Sequence, residues 1–200
     1  MTTVVHYEVA GPTLEAFFAA DDFVRVLVGP FGSGKTSACC AEAFRRCREQ
    51  AAGPDGVRRS RGVAIRSTFR QLGSTTVPSW RAWFGDAFGR FLWSEPYEHR
   101  LRFALGDGTR VEADVQFLAL DGPDAEEKLR GLEVSWAWVN EAREIPKQVF
   151  SFLLGRVGRY PAMRDGGPTW SGVFCDTNSM DVDDWLHRLL EEERPEEVTK

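Results

Sequence analysis

Short apolar runs alternate with amphipathic stretches along this chain. Residues 24–28 form a β-branched apolar run closed by Gly29-Pro30, the pattern of a buried strand feeding a turn. Residues 36–50 follow with Ala38, Ala41, Phe44 and Cys47 spaced by helical turns, which predicts a helix with one apolar stripe. Gly53, Pro54 and Gly56 close it, and residues 63–65 read as a second buried strand. Residues 79–93 carry Trp80, Trp83, Phe84, Ala87, Phe88 and Phe91 at helical spacing, which predicts a core-facing helix rather than a base-stacking platform. Residues 101–105 and 111–118 flank Gly106-Asp107-Gly108 and predict a β-hairpin. Then come a short helix over 123–130 ended by Gly131, a buried strand over 134–139 and a helix over 146–154. A Gly- and Pro-rich loop over 155–172, a strand over 172–175 and a helix over 183–193 complete the pattern. Strands alternating with helices predict an α/β fold with a mainly parallel sheet flanked by helices, the hairpin being an insertion or an antiparallel edge.

Length and composition bound this picture. The chain has 200 residues, enough for one domain, and its 42% hydrophobic content excludes the disordered class. No apolar run approaches the roughly 20 residues that span a bilayer, and residues 1–10 lack a secretory pattern, so a soluble protein without a membrane partner is expected. Cys39, Cys40, Cys47 and Cys175 have neither metal nor disulfide spacing and read as reduced packing residues. A net charge of −5 argues against a surface that grips nucleic acid all over, though not against a local patch. Arg58, Arg59, Arg61, Arg66 and Arg70 are the basic stretch in question, read either as solvated surface or as a DNA contact. Glu191, Glu192, Glu193, Glu196 and Glu197 read as a helix end or linker.

One motif carries specific chemistry. Gly29-Pro30-Phe31-Gly32-Ser33-Gly34-Lys35-Thr36 fits G-x-x-x-x-G-K-[ST], follows a predicted strand and opens a predicted helix that continues through Ser37. Glycines let the loop wrap phosphates with its N–H groups inward, and the helix start adds free N–H groups and a positive dipole end. Lys35 places a charge near the β and γ phosphates, and Thr36 offers a hydroxyl to Mg²⁺. The cofactors implied are ATP and Mg²⁺. Residues 134–139 end in Asn140-Glu141, an apolar strand with a polar tip that looks like a Walker B motif. Glu141 is the candidate base that activates water, and Asn140 stands where an Asp usually helps to hold Mg²⁺. A strand tip that is polar because it reaches solvent is the plainer alternative.

Taken in order, these motifs resemble the ATPase domain of phage large terminases, the motors that pump DNA into procapsids. The segments that carry the resemblance are the glycine loop, Ile65-Arg66-Ser67-Thr68-Phe69-Arg70-Gln71-Leu72 with Thr75-Thr76 and Trp80, and Arg130-Gly131 before Trp138-Val139-Asn140-Glu141-Ala142-Arg143-Glu144-Ile145-Pro146. Arg156-Val157-Gly158-Arg159-Tyr160-Pro161, Gly167-Pro168-Thr169-Trp170 and Asp176-Thr177-Asn178-Ser179 with Trp185 continue it, over residues 24–191. The resemblance implies a RecA-like P-loop NTPase fold and ATP hydrolysis coupled to translocation of double-stranded DNA. It implies a homo-oligomeric ring, usually a pentamer, docked on the portal of the procapsid, a small terminase subunit as partner, and the host cell cytoplasm as location. Arg130 is implied to complete a neighbouring subunit's site in trans, and Thr177 and Asn178 to sense the γ-phosphate. A dipole-favoured helix-end cation is the structural alternative for Arg130, and turn chemistry after a strand for Thr177 and Asn178.

The chain departs from the family at Asn140, where one negative charge is lost, and the loop lacks the arginine that some relatives carry. The family's nuclease domain needs more length than 200 residues provide, so an ATPase domain over 1–190, an acidic tail or linker over 191–200 and no nuclease domain are expected. Two other functions compete. A nucleotide-binding module with little turnover is motivated by Asn140. A P-loop kinase with a lid drawn from Arg156, Arg159 and Arg164 is disfavoured by Glu141, a residue suited to activating water.

Overall fold

The computed structural model describes residues 5–191. Seven strands form one sheet: β1 (Val24–Val28), β2 (Val57–Arg66), β3 (Gly89–Leu92), β4 (Tyr97–Ala104), β5 (Arg110–Ala119), β6 (Trp136–Asn140) and β7 (Gly172–Thr177). Their spatial order is β1-β7-β6-β2-β5-β4-β3. The first five in that order are parallel, while β4 and β3 are antiparallel additions at one edge. The predicted α/β fold with a mainly parallel sheet and a β-hairpin is therefore the observed one. Parallel strands need crossovers, and the crossovers place helices on both faces.

Side-chain alternation divides the core in two. Trp136 and Trp138 of β6 and Phe174 of β7 point to one face, where α1 (Pro12–Ala19) and α2 (Lys35–Glu49) pack with Leu14, Phe17, Ala38, Cys39, Ala43 and Phe44. Ala137, Val139, Val173 and Cys175 point to the other, under α5 (Ala125–Arg130), α6 (Lys147–Leu154) and α7 (Trp185–Glu191). The first face also receives a segment built of α3 (Phe69–Gln71), a π-helical turn (Leu72–Thr76) and α4 (Val77–Trp83). All four cysteines are free and buried, and burial raises their thiol pKa values, so they act as small apolar residues.

The structure corrects the helix expected over 79–93. The helix stops at Trp83, a short 3₁₀ turn (Asp86–Phe88) follows, and residues 89–92 become β3. The reason is Gly89: its φ is 146°, and a Cβ there would lie 1.9 Å from the Arg100 carbonyl oxygen. Only glycine lets β3 approach β4 so closely. The aromatic residues are nonetheless core, since Trp80, Phe84, Phe88 and Phe91 are all buried. Helix α1 and the full length of β2 lie beyond what the residue pattern predicts. The basic stretch does not form one exposed patch. Arg58 pairs with Asp107, Arg59 with Asp55 and Arg66 with Glu144, while Arg61 lies 4.2 Å over the Tyr160 ring. Residues 192–200, and with them the rest of the acidic run and the end of the expected last helix, lie outside the described residues.

Candidate nucleotide site

The carboxyl ends of β1, β7 and β6 meet at one edge of the sheet. Val28 is level with Thr177, and Asn140 with Asp176. In open parallel sheets this is where ligands bind. Beyond Val28 the chain turns into α2 through two left-handed residues, Gly32 (φ 76°) and Gly34 (φ 80°), a conformation that favours glycine. The first N–H groups of α2 have no helical partners and give the loop a positive end. Phe31, Gly32, Ser33, Gly34, Lys35, Thr36 and Ser37, together with Glu141 and Asn178, line a cavity of about 320 Å³. A larger cavity of about 740 Å³, between Gln50, Asp55, Arg59, Tyr160 and Arg164, lies at the opposite, amino-terminal end of β2 and shares no residue with the loop.

Polar side chains knit the loop to the neighbouring strands. The Lys35 ammonium donates to the carbonyl oxygens of Gly29 (2.7 Å) and Pro30 (2.8 Å) and to Asn178 Oδ1 (3.2 Å). Asn178 in turn donates through Nδ2 to Glu141 Oε1 at 2.8 Å and through its backbone N–H to Glu141 Oε2 at 3.2 Å. Glu141 adopts φ 54° and is the only non-glycine residue with positive φ among the described residues. That conformation costs about 1–2 kcal/mol and turns the carboxylate back toward the loop.

A second network lies beneath the first. Asp176, fully buried on β7, accepts from Trp138 Nε1 (2.8 Å) at one oxygen and from Thr36 Oγ1 (3.1 Å) and Asn140 Nδ2 (2.9 Å) at the other. Burial pushes the Asp176 carboxyl pKa up, and these donors and Lys35 oppose the rise. The oxygen of Asn140 accepts from Thr76 Oγ1 at 2.7 Å.

The structure thus brings together the glycine loop, Lys35, Thr36, Ser37, Glu141 and Asn178. Thr177 touches the loop through its backbone, its carbonyl accepting from the Gly29 N–H at 3.2 Å, while its buried hydroxyl has no partner among the described residues. Asn140 does not line the cavity, since both amide atoms are committed to Thr76 and Asp176. Arg130 does not reach it either: it ends α5, is exposed, and carries no hydrogen bond or ion pair among the described residues. Sequence reasoning assigned no role to Asp176, Trp138 or Thr76. A carboxylate inside the apolar run Gly172–Thr177 was the available signal, because a buried charge demands partners.

No protein-family profile matches the sequence, and no curated protein matches it. Solved structures do. The large terminase of a thermophilic bacteriophage matches with TM-score 0.62 and 13% identity, covering 90% of this chain and 42% of that one. The large terminase of bacteriophage HK97 matches with TM-score 0.56 and 12% identity, covering 92% and 37%. The thermophilic phage's protein in complex with ATP-γ-S gives TM-score 0.56 and 12% identity, covering 91% and 39%. The chain spans about two fifths of the length of the terminases it matches. At these identities the likeness is one of fold: the chain has the RecA-like fold found in large terminases.

Proposed function

We propose that this chain is the ATPase domain of a large terminase, hydrolysing ATP to drive double-stranded DNA into a procapsid. The observation that carries the reading is the bridge from Lys35 through Asn178 to Glu141 inside the loop cavity. It ties the loop's lysine to a carboxylate of the kind that can take a proton from water, with Asn178 touching both. The fold likeness to large terminases, one of them solved with ATP-γ-S, supports the nucleotide and the motor.

In this reading the glycine loop and the start of α2 hold the phosphates, Lys35 exchanges its loop carbonyls for phosphate oxygens, and Glu141 orients and deprotonates the attacking water. Residues present fit a magnesium ion. Thr36 spends its only proton on Asp176, which leaves its oxygen lone pairs for a metal. Magnesium, when bound, neutralises charge on the β and γ phosphates. Arg130 acts in trans on a neighbour's nucleotide within a ring, a role that its exposure and its lack of side-chain partners among the described residues support. The ring, the portal, the small subunit and the host cytoplasm belong to the same proposal.

Inorganic phosphate release from ATP, measured with and without Mg²⁺ and with no added acceptor, tests the reading. Magnesium-dependent release that rises with double-stranded DNA is the expected result. Phosphate transfer to an added acceptor with no free phosphate would instead make the chain a kinase. Tight ATP binding with no release in a DNA-loaded assembly would leave only a binding module, the reading that Asn140 motivates.

A further inference from the structure

We propose that Asp176 on β7 is the positioning carboxylate of the magnesium site, standing in for the acid that the strand carrying Glu141 lacks. The inference rests on the nucleotide-binding reading above and deepens it.

Trp138 Nε1 and Asn140 Nδ2, groups that can only donate, each take one oxygen of the Asp176 side chain at 2.8 and 2.9 Å, and the Thr36 hydroxyl donates to it at 3.1 Å. An ionised carboxylate is the group that accepts at both oxygens and donates nothing. Thr36 is the loop residue whose hydroxyl would meet the metal. Its proton is drawn away from the cavity by Asp176, so the oxygen faces the cavity as an acceptor. Outer partners of this kind set the orientation and basicity of a metal ligand.

The same geometry explains Asn140. Asn140 and Asp176 are register partners on adjacent parallel strands, both on the α2 face of the sheet. An aspartate at 140 would set two carboxylates within hydrogen-bond distance in a fully buried place, where like charges exclude each other. The amide instead donates to Asp176, and the buried Thr76 hydroxyl holds its oxygen on the far side. Asn140 is therefore the partner of a displaced acid and not a site with its charge missing. One negative charge stands behind Thr36, one strand over from β6.

Titration of a fluorescent ATP analogue in Mg²⁺ and in EDTA tests this, because the ratio of the two affinities isolates the metal. The wild-type chain should bind more tightly with Mg²⁺. Asp176→Asn should leave the EDTA affinity nearly unchanged and shrink the magnesium advantage by about 10- to 100-fold. The exchange variant Asn140→Asp/Asp176→Asn keeps one buried charge and the carboxylate–amide pair between β6 and β7, but its residue-176 amide would face Thr36 as a donor instead of taking the hydroxyl proton, so a charge at 140 should not restore the advantage. Circular dichroism checks that both variants fold. A folded Asp176→Asn with the wild-type ratio, or a folded exchange variant with the full wild-type magnesium advantage, would overturn the proposal while leaving the nucleotide site intact. Absence of nucleotide binding by the wild-type chain in either condition would remove the nucleotide reading itself, and this inference with it.

Discussion

Glu141 and Asn178 are joined at both carboxylate oxygens, one by the Asn178 side chain at 2.8 Å and one by its backbone N–H at 3.2 Å. The strained Glu141 backbone is thus held by the residue that also contacts Lys35. Replacement Glu141→Gln keeps one acceptor for Asn178 and removes the base. Turnover is expected to fall by about 10²- to 10⁴-fold with ATP affinity retained. Phosphate release and nucleotide titration on the same preparation check this; unchanged turnover would dismiss Glu141 as the base.

Lys35→Ala removes the cation that three acceptors share at 3.2 Å or less. Loss of a charge-assisted contact to phosphate is worth roughly 1.5–3 kcal/mol, so nucleotide affinity should drop by about 10- to 100-fold. The drop should appear in EDTA as well as in Mg²⁺, unlike the expected effect at Asp176.

Arg130→Ala should leave the fold and nucleotide affinity untouched, since the side chain is exposed and unpaired among the described residues. Turnover of the assembled ring should fall by about 10³-fold or more if the arginine acts in trans. Mixing Arg130→Ala with Glu141→Gln subunits provides the check. Some activity should return only when one subunit supplies the arginine and its neighbour the base.

His99 predicts a pH dependence of stability. The ring is fully buried, Nδ1 accepts from Trp80 Nε1 at 2.9 Å, and Nε2 faces no well-formed hydrogen-bond partner among the described residues, the Gly89 backbone opposing the effect of burial only in part. Burial lowers its pKa from 6.5 to about 4. The unfolded chain therefore binds a proton over a range in which the folded chain does not, and stability falls as pH drops from 6.5 toward 4. The loss from this group amounts to roughly 3 kcal/mol at most. His99→Asn keeps an acceptor for Trp80 and should flatten that part of the curve. Urea midpoints across the range would show it, and an equal slope in both proteins would count against it.

Glu42 is fully buried and is held by Arg25, Arg45 and Arg46 at 2.5, 2.7 and 2.6 Å. Glu42→Ala would leave Arg25 buried without a counter-charge and Arg46 with only the exposed Asp21 carboxylate. Such a break typically costs about 3–5 kcal/mol, a large fraction of a domain's stability. Denaturant unfolding measures it; a loss below about 1 kcal/mol would mean that water reaches the arginines and replaces the carboxylate.

Much of this molecule was legible locally. The run 24–28, the glycine loop and the helix behind it are contiguous, and their signals depend on neighbours in the chain. The same holds for the strand ending at Asn140-Glu141. The segment 79–93 misled for an equally physical reason. Aromatic residues three and four apart satisfy a helix, but they also satisfy a helix end, a turn and a strand that converge on one core. Nothing local revealed that Gly89 meets the Arg100 backbone. The arginines from Arg58 to Arg66 looked like a patch because their acidic partners at 107, 55 and 144 are separated from them along the chain or lie on another element.

The sequence by itself determined that a glycine-rich loop joins a buried strand to a helix, that a strand ends at Asn140-Glu141, and that strands alternate with helices. These follow from turn chemistry and residue periodicity, which act over a few residues. Only the tertiary structure decided which acid stands behind Thr36. Sheet order inserts β7 between β1 and β6, so Asn140 and Asp176, 36 residues apart, become neighbours, and Thr36 meets Asp176 across 140 residues. Where the charge of a site resides is a property of which strands lie side by side, and strand adjacency is set by packing of the whole sheet against both layers of helices.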